Sequence, residues 1–140
     1  MMSPLLQFAQ TTTEPTPDHQ RWDQSTSVLI TYGDTVQSPD EPALLTLSSF
    51  LNRHLHPLAG VVHVLPFLQA TSDGGFAVAS HEQIEAHLGD WDGLQALSIG
   101  RTLMADLVLN HVSAAHPWVQ QFRQGQEPGV HCVLAPDPDA

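Results

Sequence analysis

Three short polar groups follow directly on apolar, β-branched runs: Gly33-Asp34 after VLITY, Asp73 to Phe76 after VVHVLPF and an irregular stretch, and Asn110-His111 after LMADLVL. In parallel α/β folds the residues just beyond the carboxyl ends of the strands form the active site. A carboxylate, an aromatic ring, a carboxamide and an imidazole would therefore converge on one rim. Such a set suits a carbohydrate, with polar groups for hydroxyls and an aromatic face for the apolar side of a sugar ring. Taken singly, each residue also has an ordinary reading. Asp106 lies within an apolar run and needs a hydrogen-bond network, structural or ligand-directed. Asn110 serves equally as a turn former, His111 as a satisfied loop histidine, Asp73 as a turn residue before Gly-Gly, and Phe76 as core.

Other chemistries lack their signatures. The nine histidines include HEQIE at 81 to 85, which lacks the second histidine of HExxH, and His54 and His56, which have no third ligand in view. No metal site is expected. GxSxG, P-loop and GxGxxG segments are absent from the sequence, so serine-hydrolase, NTPase and dinucleotide chemistry lack support. Fifteen acidic residues against four arginines and no lysine give a formal charge of −11, which disfavours nucleic acid and anionic membranes as partners. Cys132 is the one cysteine, so an internal disulfide is excluded. The N-terminus does not read as a signal peptide and no run is long enough to span a bilayer, so the expected location is cytoplasmic.

The elements that must position these groups follow from periodicity. Residues 1–27, rich in Thr, Gln, Pro and Asp, read as an irregular leader. Strands are expected at Val28–Tyr32, Val61–Phe67 and Leu103–Leu109. Between them, Leu44, Leu47, Leu51 and Leu55, with Phe50 beside them, form the stripe of a helix capped by Asp40. A short helix is expected over His81–Leu88. Another, capped by Asp90, carries Trp91, Leu94 and Leu97 on one face and ends at Gly100. Pro117 opens a last helix that Gly125 closes, and 126–140 reads as loop. Strands alternating with helices, apolar on both faces, make an α/β fold with a parallel sheet. Pattern alone admits two architectures: the first three βα units of a (β/α)8 TIM barrel, incomplete because such a barrel takes roughly 250 residues, or a self-contained three-layer domain.

The order of the pieces is more specific than any one of them. VLITYGD, VHVLPF, SDGGFAV, LGDW, DLVLNHVS and HPWVQQF together resemble the N-terminal part of the α-amylase superfamily, glycoside hydrolase family 13, and within it the sucrose phosphorylase branch, from about Val28 to Phe122. The resemblance implies that residues 28–125 are the start of a catalytic barrel and that 126–140 approach the family's small B domain. It implies that Asp73 binds hydroxyls of a glucosyl ring, that Phe76 is the platform beneath it, and that His111 hydrogen-bonds the same unit. Asn110 and Asp106 would support them. Many members carry an Asp followed by Tyr or His a few residues after the Phe; here the pair is Ser80 and His81.

The implied reaction is retaining glucosyl transfer from sucrose or a related α-glucoside to phosphate, giving glucose 1-phosphate without a cofactor. Such transfer needs two carboxyl groups roughly 5–5.5 Å apart, which the family places after its fourth and fifth strands. No catalytic residue is therefore expected in this chain, which alone should be inactive. The alternatives are a remnant or interaction fragment that self-associates through open strand edges, or a same-branch glucosylglycerate phosphorylase or α-glucoside hydrolase.

Overall fold

A computed structural model describes residue 23 and residues 26–136. The expected leader lies almost wholly outside these residues, as do 137–140.

Three β-branched runs give three short parallel strands, β1 (Val28–Thr31), β2 (Val61–Val64) and β3 (Thr102–Ala105), in the order β1-β2-β3. The register aligns Ile30 with His63 and His63 with Met104. The connection from β1 to β2 carries α1 (Ala43–His54), and that from β2 to β3 carries α2 (Trp91–Ser98). Two further helices follow, α3 (Pro117–Arg123) and α4 (Gly129–Cys132).

The leucine stripe of α1 forms as its spacing predicts, with Leu44, Leu47 and Leu51 buried and Leu55 packed at its end. They meet Leu94 and Leu97 of α2 and the β2 side chains Val62 and Val64 in one core. Side chains alternate across a strand, so Val62 and Val64 face the helices while His63 between them faces away. The helices cover that one side of the sheet. On the other, Val28 (45%), Ile30 (60%) and Met104 (38%) stay exposed, where the sequence pattern had both faces covered.

Asp90 caps α2, its Oδ1 accepting from the Gly93 N–H at 3.0 Å. Removal of an N-cap acceptor costs about 1 kcal/mol. Asp90→Ala is therefore expected to lower the urea midpoint by that equivalent at unchanged m; a loss below about 0.3 kcal/mol would show that the cap carries no energy.

Five expectations need correction. Asp40 does not cap α1: the N-cap is Pro42, with no side-chain cap bond, and the Leu44 N–H donates instead to the Leu88 carbonyl at 3.0 Å. Phe50 lies off the buried stripe at 38% exposure. Residues 81–88 are not helical. They run back along 67–69, with Gln69 N–H donating to the Gln83 carbonyl and Glu85 N–H to that of Phe67, both at 2.9 Å, so their backbone bonds are satisfied without a helix. The third strand stops at Ala105, which leaves Asp106 to Leu109 outside the sheet. Finally, 126–140 is not all loop. Gly129–Cys132 forms α4 on α3, where a side chain on Gly129 would collide with the Trp118 carbonyl oxygen.

Candidate functional site

Each strand ends in a loop on the same edge of the sheet. After β1, Gly33 is buried against Leu44 and Leu88, and Asp34 sits 3.5 Å from His87 Nε2. After β2, residues Asp73–Gly75 form a single 3-10 turn closed by the Phe76 N–H on the Asp73 carbonyl at 3.0 Å. Its three residues are all left-handed, with φ of 61° at Asp73, 59° at Gly74 and 96° at Gly75. Asp is one of the few residues with a side chain that visits this region. The turn lifts the Asp73 carboxylate into solvent and leaves Phe76 half-buried. Tyr32, Asp34, Ser72, Gly74, Gly75 and Glu85 border a cavity of about 520 Å³ beside it.

After β3, Asp106 turns back onto the sheet, its Oδ2 3.0 Å from Nε2 of His63 on β2. This is the network that a carboxylate in an apolar run required, and its partner is a strand histidine flanked by valines. Asn110 and His111 are exposed and border a second cavity of about 390 Å³, together with His81, Trp118 and Cys132. Asp73 and Phe76 line neither cavity.

What joins the second and third loops is a set of bonds that the sequence pattern did not reveal. Thr71 and Ser113 share a hydroxyl hydrogen bond of 2.7 Å, and the Ser113 N–H donates to the Val78 carbonyl at 2.8 Å. His81 Nε2 lies 3.0 Å from the Val108 carbonyl oxygen, and its Nδ1 is 3.1 Å from His116 Nε2. HPW was legible as a helix start, because Pro tolerates the first helical position; that His116 is its N-cap, accepting from the Trp118 N–H, was not. Burial, and secondarily the charge of His81, hold His116 below its ordinary pKa of 6.5. Among the described residues no group of three or more His, Cys, Asp or Glu side chains could hold a metal ion.

The sequence and fold of these strands and loops recur in known proteins. The chain is 41% identical over 120 residues to a glucosylglycerate phosphorylase of Allomeiothermus silvanus, covering 84% of this chain and 22% of that protein. It is 41% identical over 96 residues to a sucrose phosphorylase of Agrobacterium vitis, covering 67% of this chain and 19% of the relative. The crystal structure of sucrose 6F-phosphate phosphorylase from Thermoanaerobacter thermosaccharolyticum superposes with a TM-score of 0.64 at 30% identity, over 72% of this chain and 20% of that one. The chain belongs to the α-amylase family, as a sucrose phosphorylase-like N-terminal region.

This α-amylase-family chain spans about a fifth of the length of the curated relatives it matches. A trehalulose synthase variant shares its fold, with a TM-score of 0.66 at 18% identity over 76% of this chain and 21% of that one. No family model matches the chain. Among the described residues, no helix is long and apolar enough to cross a membrane.

Proposed function

We propose that the chain forms the glucosyl-binding arc of a (β/α)8 barrel in an α-glucoside phosphorylase. The observation that supports this is the rim: Asp73 and Phe76 after β2, and Asn110 and His111 after β3, sit on loops at adjacent parallel strand ends that are hydrogen-bonded to each other. In this reading Asp73 accepts from two hydroxyls of the glucosyl ring, Phe76 lies beneath its apolar face, and His111 bonds the same unit. Asn110 supports the His111 loop, and Asp106 is fixed by His63. The transferred glucosyl group comes from sucrose or a related α-glucoside and goes to phosphate. A second reading of the donor, glucosylglycerate, is favoured by the longer aligned span of those relatives, 117 to 120 residues against 87 to 105 for the sucrose phosphorylases.

The residues of this arc recognise; they do not break bonds. Groups that bind substrate and transition state alike supply affinity with little rate, and both carboxyl groups of a retaining mechanism are assigned outside this arc.

Saturation-transfer NMR on the 140-residue chain with sucrose and glucosylglycerate tests the proposal. Transfer is expected on the glucosyl ring protons of both, with no release of glucose 1-phosphate. Asp73→Asn keeps a residue that tolerates the left-handed turn but removes the charged acceptor, for a loss of about 1.5–3 kcal/mol, or roughly 10–100-fold in affinity. Equal affinity in the variant, or phosphorolysis by the chain alone, would overturn these assignments.

A further inference from the structure

The hydrogen bonds around His81 and His116 run in one direction only. The backbone N–H of Trp118 donates to Nδ1 of His116 at 3.1 Å, so that nitrogen carries no proton and the ring's proton is on Nε2. Nε2–H then donates to Nδ1 of His81 at 3.1 Å, which places the His81 proton on its own Nε2, facing the Val108 carbonyl oxygen at 3.0 Å. All four ring nitrogens are used, and both rings are neutral. A proton added to His116 Nδ1 would face the Trp118 N–H; one added to His81 Nδ1 would face the Nε2–H of His116. Either sets donor against donor.

We propose that His81 and His116 form a proton-gated latch between the loops after β2 and β3: closed when both rings are neutral, and forced apart at the His81–His116 bond when His116 takes up a proton. The latch is a property of the fold and stands whether or not the rim binds a glucosyl unit. Its position gives it a task, because Val108 lies two residues before Asn110 and three before His111. Opening it turns the His81 ring that holds Val108 at one end of that loop, while the Thr71–Ser113 and Ser113–Val78 bonds hold the other end in place.

The surroundings offer little to an imidazolium. Trp118 stacks on His81 at 5.4 Å between ring centroids and 22° between planes, a face that attracts a cation, but no nitrogen of His81 can accept the charge without the donor clash. His111 and Cys132 share the neighbouring cavity with His81. Glu82, next in the chain, is exposed, and Arg123 lies at the far end of α3. The histidine ion pairs of the described residues involve His63, His87 and His131, not these two rings. His116 is 4% exposed. Its folded pKa lies below the unfolded 6.5, so the unfolded chain binds the proton more readily. The latch's stability is therefore fully present above pH 6.5 and is lost as pH falls from there through the folded value.

Long-range ¹H–¹⁵N spectra of the ¹⁵N-labelled 140-residue chain, recorded across pH ~5–8, report the ring tautomers directly. Both rings are expected in the Nε2–H form at the upper end. His116 is expected to titrate with a midpoint under 6.5, and the amides of Val108–Val112 and Ala79–Glu82 to shift with that midpoint. An Nδ1–H ring, random-coil ring shifts, a midpoint at or above 6.5, or loops that do not follow His116 would overturn the latch. His81→Phe keeps a ring on Trp118 and cuts the relay, so the Val108–Val112 amides should stop following His116. His116→Asn keeps a cap acceptor and should remove the transition from both loops. Persistence of the coupled shifts in either variant counts against the proposal.

Discussion

Gly75→Ala is expected to destabilise the protein by about 2–4 kcal/mol, and to do so by dismantling the turn that presents Asp73. Two independent costs meet at this position. Its φ of +96° lies beyond the left-handed basin that a side chain can occupy, and a Cβ there would come within 2.6 Å of the Pro66 carbonyl oxygen and 2.9 Å of its Cβ. Neither obstacle is the free end of a flexible side chain. Pro66 sits just beyond β2 and is held by the strand, so relief requires the turn itself to move. Gly74→Ala separates the two costs: φ is +59°, but the new Cβ would make only an ordinary contact of 3.4 Å with the Tyr32 hydroxyl. That variant should lose about 1–2 kcal/mol. Urea unfolding of both gives the comparison, and equal losses would remove the steric half of the argument.

Leu44→Ala carries the largest expected effect in the core, about 3–5 kcal/mol. Leu44 is fully buried where α1, α2 and the end of β1 meet. Its neighbours make the vacated space hard to refill. Gly33 and Gly93 both border it, where an added Cβ would stand 3.2 Å from Leu44 Cδ2 and 3.8 Å from Leu44 Cδ1. Glycines have no side chain to swing into a hole, so the cavity persists and the loss falls toward the upper end of the leucine-to-alanine range. A domain of this size is stable by roughly 5–15 kcal/mol, so the variant should show a large fall in urea midpoint at unchanged m. A loss under about 1 kcal/mol would mean that the helices close over the gap.

The elements legible in the sequence are those whose partners are periodic or adjacent. Leu44, Leu47 and Leu51 recur at helical spacing, and Asp90 stands three residues before the N–H it caps, so α1 and α2 could be read directly. The end of β3 could not. LMADLVL is apolar at every position but Asp106, yet the strand pairs only as far as β2 does, and beyond β2 the chain passes from Val64 through Leu65 into Pro66, which has no N–H to continue the ladder. A limit set by one strand is thus written in another. The 81–88 segment misled for a similar reason: Ile84 and Leu88 have helical spacing and are both buried, but the backbone between them finds its hydrogen bonds on 67–69. At the rim, Asp73, Phe76, Asn110 and His111 were visible as loop residues after strands. His63, His81, His116 and Ser113 were not, because each acts through a partner 27 to 43 residues away.

The sheet face left bare by the helices gives the acidic composition a colloidal meaning. Val28, Ile30 and Met104 form a patch on which copies of the chain could adhere, yet each copy carries a formal charge of −11. Like-charged molecules keep such patches apart only over the screening distance, roughly 8 Å at physiological ionic strength and about 3 Å in molar salt. Added salt therefore shortens the repulsion without weakening the apolar attraction, and ionic strength becomes the variable that governs whether the chain stays dispersed.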